Sequence, residues 1–166
     1  FGRSISSIAD IVLRKGIKVI CVDMFQFQWY DPFRMPPPHK LEEEFVKNTK
    51  AMGLGECEGD ELKPGCIKRM KGTTIAAASY LKEKGFKADL VFIDAGHSFN
   101  EVKGDIYTWW PMLKDGGTMG GHDFNMSVDM TVAVVFNPLW YNHSTRKLKI
   151  HMGEQDATGC CWSVIK

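Results

Sequence analysis

The stretch Asp89-Leu90-Val91-Phe92-Ile93-Asp94 decides the fold class of this sequence. Its apolar centre is continuous and runs into a carboxylate, which is typical of a strand buried on both faces of a parallel sheet. Lys18-Val19-Ile20-Cys21-Val22-Asp23 has the same pattern near the start of the chain. Both runs are therefore predicted to be parallel strands that end at an acidic residue.

Segments with helical spacing lie before, between and after these strands. Apolar residues recur with a helical period over residues 5–13, with Ser4 as a candidate N-cap and Gly16 as a stop signal. The same spacing predicts later helices over residues 41–49, 76–81, 102–113 and 132–140. Strands that alternate with helices predict an α/β protein with a largely parallel sheet.

Two strand-like runs close the chain with no helix between them. They cover residues 148–152 and 161–165, and the segment that joins them is rich in turn residues. Strands connected in this way pair antiparallel. We therefore expect a C-terminal hairpin at one edge of the sheet, within a single domain that spans residues 1–166.

Composition excludes several classes of protein. Among 166 residues, 21 are Lys or Arg and 20 are Asp or Glu, so the net charge is +1, unlike the concentrated basic face of most nucleic-acid modules. No apolar run approaches the ~20 residues that span a bilayer. We expect neither a nucleic acid nor a membrane among the partners.

The cysteine pattern favours a reducing, cytoplasmic setting. The chain has five cysteines, an odd number, and Cys21 and Cys160-Cys161 lie in apolar strand-like runs where a thiol acts as a small hydrophobe. No CxxC pair or Cys/His cluster has the spacing of zinc ligands, which disfavours a zinc site.

Polar residues with useful chemistry follow the predicted strands. Asp23, the pair Asp94 and His97, and the pair His122 and Asp123 each lie where an apolar strand gives way to a loop. Ligands of open α/β sheets bind beyond the carboxyl ends of the strands. These residues are therefore the candidate functional residues.

Several motifs in a fixed order resemble those of a known family. The order is Gly2-Arg3-Ser4, Asp23, Gly72-Thr73-Thr74, Ile93-Asp94-Ala95-Gly96-His97-Ser98-Phe99, Trp110-Pro111-Met112-Leu113-Lys114-Asp115-Gly116-Gly117 and His122-Asp123-Phe124. It resembles class I S-adenosylmethionine-dependent methyltransferases, most closely the small bacterial-type branch related to catechol and caffeoyl-CoA O-methyltransferases. The resemblance covers nearly the whole chain. It implies a Rossmann-like sheet, twisted and mostly parallel, with helices on both faces.

The resemblance also implies a site for S-adenosylmethionine. Asp23 would take both ribose hydroxyls, because two vicinal hydroxyls can donate to the two oxygens of one carboxylate. Gly2 and Ser4 match the end of the glycine-rich motif beside the methionine part of the cofactor. Thr73 and Thr74 match the segment that surrounds the adenine, although a helix N-cap would use the same side chains.

Two further carboxylates match a metal site of the catechol-type relatives. Asp94 and Asp123 stand where those relatives bind a divalent cation, and oxygen ligands of this kind suit Mg²⁺ or Ca²⁺. Phe124 stands where the relatives have Asn, which departs from that pattern. Asp94 is also expected among the cofactor-binding and catalytic residues, and an Asx turn is the alternative for Asp123.

Two histidines are candidates for the catalytic base. An imidazole titrates near neutral pH and can accept the proton that an attacking hydroxyl loses. The two histidines are predicted to lie at neighbouring strand ends, and His97 ranks above His122 as the base.

The resulting hypothesis is methyl transfer from S-adenosylmethionine to a hydroxyl of a small molecule or sugar. The acceptor pocket would come from residues 24–39 and 124–128. Two alternatives stay open: a nucleotide-dependent oxidoreductase, disfavoured because no GxGxxG precedes the first helix, and a partial or degenerate methyltransferase-fold domain without turnover. A homo-oligomer is compatible with the sequence.

The start of the chain departs from the family pattern. The first strand and the first glycine of the glycine-rich motif are absent before Phe1. In a parallel sheet of this type the first strand lies between the strands that end at Asp23 and Asp94. We therefore expect upstream residues, or a segment of a second chain, to occupy that position.

Overall fold

The computed structural model describes residues 3–26, 33, 37–59, 61–124, 126–136, 148–151 and 161–166. The chain divides into two compact units, Phe1–Thr73 and Thr74–Lys166. Each unit has its own sheet. The single domain expected over residues 1–166 therefore stays a prediction.

The first unit contains a three-stranded parallel sheet in the order β1-β3-β2. Its elements are α1 (Arg3–Ser6), α2 (Ala9–Lys15), β1 (Val19–Asp23), a 3₁₀ turn (Pro38–Lys40), α3 (Leu41–Ala51), β2 (Gly55–Glu56) and β3 (Cys66–Lys71). The predicted first strand run is confirmed as β1. The two-residue strand β2 lies in a polar segment that showed no strand pattern.

The first predicted helix is confirmed in place but is divided in two. The chain leaves the helical conformation between Ser6 and Ala9, and Ser4 lies inside α1, so its expected role as an N-cap is wrong. Gly16 ends α2 as predicted, because its φ of +61° is a left-handed conformation that glycine adopts at little cost. Val12 is the side chain of α2 that reaches the core most fully.

The core of the first unit is formed by α2, α3 and the sheet around an aromatic pair. The rings of Phe25 and Phe45 meet edge to face with centroids 5.5 Å apart. Leu41, Leu54 and Ile67 are buried in the same cluster. Phe25 belongs to the segment expected to form the acceptor pocket and is buried in the core, and the origin of the pocket stays a prediction. Residues 27–32 and 34–36 of that loop lie outside the described residues.

A disulfide joins Cys57, just after β2, to Cys66, the first residue of β3. The spacing of these two residues did not predict the bridge. Cys21 keeps its thiol on β1, where burial and the neighbouring charge of Asp23 raise its pKa to about 12. Disulfides are more frequent in oxidising compartments, and the reducing, cytoplasmic setting expected from the cysteine pattern stays a prediction.

Reduction of the disulfide is expected to destabilise the protein. The bridge closes a loop between residues nine positions apart, and a loop of this size limits the unfolded chain enough to contribute about 2–3 kcal/mol to the free energy of unfolding. Urea unfolding with and without dithiothreitol measures the change. The double variant Cys57→Ser/Cys66→Ser should not respond to the reductant. Equal midpoints for the wild type under both conditions would contradict the expectation.

The second unit contains a four-stranded sheet in the order β4-β5-β7-β6. Its elements are α4 (Thr74–Glu83), β4 (Ala88–Ile93), α5 (Phe99–Trp109), a 3₁₀ turn (Trp110–Met112), β5 (Leu113–Gly121), α6 (Met126–Val135), β6 (Lys149–His151) and β7 (Cys161–Ile165). Strands β4 and β5 are parallel, whereas β7 pairs antiparallel with both β5 and β6. The predicted α/β class and the C-terminal hairpin are both confirmed.

Glycines at the end of β5 allow the three central strands of this unit to approach closely. A Cβ atom on Gly121 would lie 2.6 Å from the Ile93 carbonyl oxygen of β4 and 2.6 Å from the Trp162 indole nitrogen of β7. Trp162 is fully buried. Only a residue without a side chain fits this position.

Strands β1 and β4 each end the strand order of their own sheet, so they do not pair with each other in the described part of the chain. The segment expected between them stays a prediction. Among the described residues, no helix has the length and apolar character needed to cross a membrane.

Candidate active site

The candidate ribose and adenine segments lie side by side in the first unit. In the register of β1 with β3, Asp23 is the partner of Lys71, and the N–H of Gly72 donates to the Asp23 carbonyl oxygen over 3.0 Å. Both strands are parallel and end at this point. The structure therefore brings Asp23 and the segment that starts at Gly72 to the same edge of the sheet.

The Asp23 carboxylate is held in place by its own turn. Its Oδ1 accepts the N–H of Phe25 over 2.6 Å, and Phe25 has a φ of +51°, which is rare for a residue other than glycine. The second carboxylate oxygen makes no hydrogen bond within the described residues. A turn-stabilising role and a ligand-binding role are therefore compatible for Asp23.

The other residues expected around the cofactor have different placements. Gly2 lies outside the described residues, and Ser4 lies in α1, where its carbonyl oxygen accepts the Ser7 hydroxyl over 2.8 Å. Thr73 is the last residue of the first unit, and Thr74 is the first residue of α4. Their roles in binding stay predictions.

The second unit brings two carboxylates and two histidines together at the carboxyl ends of β4 and β5. Ile93 and Gly121 are paired residues of the two strands, and the N–H of His122 donates to the Ile93 carbonyl oxygen over 3.1 Å. Asp94 and His122 therefore start neighbouring loops. These are the loops that carry His97 and Asp123.

Asp123 contacts both imidazoles. Its Oδ2 lies 3.1 Å from His97 Nε2, and its Oδ1 lies 3.1 Å from His122 Nδ1. The φ of Asp123 is +52°, a turn conformation that Asp tolerates better than most residues. A carboxylate that accepts from Nε2 of His97 favours the tautomer whose lone pair is on Nδ1. The expected turn role of Asp123 and an orienting role toward His97 are therefore compatible.

A capping box fixes the loop that carries Asp94 and His97. The Glu101 carboxylate accepts the Ser98 hydroxyl over 2.5 Å and the Ser98 N–H over 3.1 Å, and these hydrogen bonds lower the pKa of Glu101. A side chain at Gly96 would overlap the Glu101 carboxylate. The signal for this feature was present in the sequence as Ser98-x-x-Glu101 before an apolar helix.

Three of these side chains are close enough together to hold a metal ion. Asp94, His97 and Asp123 each offer one ligand atom, and these atoms lie within 4.8 Å of one another. The small cavity beside them, which Val128 and Trp162 also line, is about 10 Å³, close to the room that one water molecule needs. An imidazole among the ligands suits Zn²⁺ better than Mg²⁺, which prefers oxygen ligands. The cluster fits a divalent cation, although the donors differ from the oxygen-only Mg²⁺ site expected of Asp94 and Asp123.

The comparisons with known proteins point in one direction. Residues 1–124 match a family described as a methyltransferase domain. Among curated proteins, none matches the sequence significantly.

Several solved structures share the fold. A TDP-rhamnose 3'-O-methyltransferase of calicheamicin biosynthesis has a TM-score of 0.60 and 12% identity over 96% of this chain and 66% of its own. An O-methyltransferase from Bacillus cereus, solved with SAH, has a TM-score of 0.57 and 11% identity over 96% of this chain and 79% of its own. TomG is an O-methyltransferase of tomaymycin synthesis from Streptomyces achromogenes, solved with SAM. It has a TM-score of 0.57 and 11% identity over 96% of this chain and 78% of its own. This chain therefore spans just under two thirds of the calicheamicin enzyme.

Proposed function

The chain belongs to the family of methyltransferase domains, and from this we propose that it binds S-adenosylmethionine and methylates a hydroxyl of a small molecule or sugar. The observation that carries the proposal is the contact between Asp123 and His97 at the ends of β4 and β5. A base held by a carboxylate at the carboxyl ends of parallel strands is suited to accept the proton that a hydroxyl loses on methylation.

The cofactor's nucleoside part is assigned to the edge formed by Asp23 and Gly72. When bound, S-adenosylmethionine supplies an electrophilic methyl carbon, which the acceptor oxygen attacks as the carbon–sulfur bond breaks. Asp23 accepts hydrogen bonds from the ribose hydroxyls with a carboxylate that its own turn already orients. Thr73 and the start of α4 follow in the chain as the segment for the adenine.

His97 acts as the base in this proposal. Its Nδ1 takes the proton of the acceptor hydroxyl while Nε2–H donates to Asp123 Oδ2, so the charge that forms on the imidazole faces a carboxylate. His122 contacts the other oxygen of Asp123 and supports its orientation. Asp94 lies in the same cluster and is assigned to binding of the cofactor or the acceptor.

A metal-dependent version of the same reaction is the second candidate. It is favoured by the proximity of Asp94, His97 and Asp123. A divalent cation held there would polarise the acceptor hydroxyl, and His97 would then be a ligand and not the base. The two versions make opposite predictions for a chelator. Activity should persist if His97 is the base and should be lost if a divalent cation is required.

The class of acceptor is the least specific part of the proposal. One similar structure is a TDP-rhamnose 3'-O-methyltransferase and another acts in tomaymycin synthesis, so a sugar hydroxyl and a small-molecule hydroxyl are both proposed. A domain that binds the cofactor without turnover remains the alternative. It would show cofactor binding and no methyl transfer to any acceptor.

Replacement of Asp23 tests the cofactor site. Loss of hydrogen bonds to a charged group should weaken the binding of S-adenosylhomocysteine by about 10- to 150-fold in Asp23→Ala, equivalent to ~1.5–3 kcal/mol. Titration calorimetry measures the dissociation constants. Asp89→Ala is the matched control, because Asp89 is an exposed carboxylate that pairs with Lys114 on the surface. Equal affinity of the wild type and Asp23→Ala would overturn the assignment.

A further inference from the structure

His97 lies in the loop of residues 94–98, between the end of β4 and the start of α5. Its side chain is 56% exposed, so packing against neighbours contributes little to its orientation. Its Nε2 lies 3.1 Å from Asp123 Oδ2, a contact that requires the ring to be carried to the right place. The position of His97 therefore depends on how the backbone of this loop is held.

Glu101, in the first turn of α5, holds the residue that directly follows His97. Its Oε2 accepts the Ser98 N–H over 3.1 Å and the Ser98 hydroxyl over 2.5 Å. In return, the Glu101 N–H donates to Ser98 Oγ over 3.4 Å. These reciprocal hydrogen bonds satisfy backbone donors at the beginning of the helix. Ser98 is therefore tied to α5 through both its backbone and its side chain.

The same carboxylate lies against the residue that directly precedes His97. A Cβ atom on Gly96 would lie 2.7 Å from both carboxylate oxygens of Glu101. Glycine has no such atom, so the carboxylate can approach the loop backbone this closely. One side chain thus lies against the loop on both sides of His97.

We infer that Glu101 is a positioning residue for His97 and acts through the backbone on either side of that histidine. This inference rests on the proposed function, which assigns the base to His97. With Gly96 and Ser98 held, the ring directs Nε2 to Asp123 and presents Nδ1 to the acceptor hydroxyl. Glu101 touches no reacting atom in this arrangement. A ring displaced by about 1 Å would lose its alignment with the hydroxyl, and such a displacement can lower a rate by about 10²-fold.

Two pairs of variants separate the hydrogen bonds of this carboxylate from its charge and from the stability of α5. Glu101→Ala removes the acceptor, whereas Glu101→Gln removes the charge and keeps an oxygen that can accept from Ser98. Ser98→Ala removes the hydroxyl, whereas Ser98→Thr retains it. Glu43→Ala is the matched control, because Glu43 is an exposed carboxylate in the first turn of α3. A folding failure at one of the two positions leaves the other informative.

The first measurement follows the His97 ring without turnover. Nitrogen NMR of the neutral imidazole distinguishes a proton on Nε2 from one on Nδ1, and a chelator keeps metal ions out of the cluster. The wild type, Glu101→Gln and Ser98→Thr are expected to show one tautomer, with Nε2–H hydrogen-bonded to Asp123. Glu101→Ala and Ser98→Ala should show a mixture of the two tautomers. The spectrum of His97→Ala identifies the signals.

The second measurement compares the rate of methyl transfer with the affinity for the cofactor product. Single-turnover assays use TDP-rhamnose and catechol as the two acceptor probes. Glu101→Ala is expected to react about 10- to 100-fold more slowly than the wild type, and to bind S-adenosylhomocysteine within about 2-fold of the wild-type affinity. Ser98→Ala keeps the N–H that donates to Glu101 and should be slower by about 3- to 10-fold. The rates of Glu101→Gln, Ser98→Thr and Glu43→Ala should stay within about 2-fold of the wild type.

Three results would overturn the inference alone. Unchanged spectra and rates in folded Glu101→Ala would show that the capping box only stabilises α5. An equal loss in Glu101→Gln and Glu101→Ala would assign the effect to the charge and not to the position of the loop. A loss of rate matched by an equal loss of affinity for S-adenosylhomocysteine would indicate a general disturbance of the fold.

Failure of the proposed function would look different. A wild type that does not bind S-adenosylhomocysteine would overturn the proposed function together with the inference. A wild type that binds it but transfers no methyl group to either probe would speak against turnover, and the NMR spectra would then decide the inference. One tautomer in Glu101→Gln and a mixture in Glu101→Ala would support it, and identical spectra would overturn it.

Discussion

The variant His97→Ala is expected to transfer methyl groups about 10²- to 10⁴-fold more slowly than the wild type, which is the usual contribution of a positioned base. The reason is that the substitution removes the imidazole proposed to accept the hydroxyl proton, which the Asp123 carboxylate contacts over 3.1 Å. Binding of S-adenosylhomocysteine should change by less than about 2-fold, because His97 is assigned to the acceptor and not to the cofactor. Single-turnover assays and calorimetry measure the two quantities.

Controls for this prediction lie in the same unit. His151→Ala should keep full activity, since His151 is an exposed residue of β6 whose ring contacts Ser163. Addition of a chelator to the wild type completes the test. Loss of wild-type activity on addition of the chelator would favour the metal-dependent version, in which His97 is a ligand and not the base.

Gly121→Ala is expected to lower the free energy of unfolding by at least about 3 kcal/mol, the upper range for overpacking a close-packed interior. The added Cβ would lie 2.6 Å from the Ile93 carbonyl oxygen and 2.6 Å from the Trp162 indole nitrogen. Backbone on one side and a buried ring on the other leave no flexible group that can move aside. Such a loss is a large fraction of the ~5–15 kcal/mol that stabilises a typical domain.

Gly104→Ala is the matched control for this substitution. Gly104 lies within α5, and a Cβ there would meet nothing within 4 Å. Alanine should stabilise the helix by about 0.5–1 kcal/mol relative to glycine. Thermal or urea unfolding of both variants measures the contrast, and a Gly121→Ala variant as stable as the wild type would contradict the packing described for β4, β5 and β7.

The strands that position the candidate site could be predicted from the sequence because their pattern is local. β1 and β4 are continuous apolar runs that end at Asp23 and Asp94, and both are confirmed within a residue of the expected bounds. Gly16 as the end of α2 is also a local signal. The roles assigned to the residues at the strand ends remain predictions, since chemistry at a site depends on ligands as well as on position.

Features that depend on distant parts of the chain could not be predicted. Thr74 and Trp109 form a hydrogen bond although they are 35 positions apart in the sequence. Asp105 is buried, whereas an Asp in a helix is usually a surface residue. The break between α1 and α2 was missed because the apolar spacing continues through it. The disulfide between Cys57 and Cys66 depends on the pairing of β2 with β3. Because β2 has two residues, its sequence pattern is too short to predict that pairing.

The turn at Asp23 has a thermodynamic consequence for ligand binding. The carboxylate is tied to the backbone of Phe25, and Phe25 is itself anchored in the core against Phe45. The rotational entropy of this side chain is therefore lost during folding and not on binding of the ribose that we propose for this site. A preorganised acceptor of this kind makes association more favourable by the ordering cost of one side chain, about 0.5–1.5 kcal/mol. Loosening the Phe25 ring in the core would thus weaken binding through entropy, with every atom that touches the ligand unchanged.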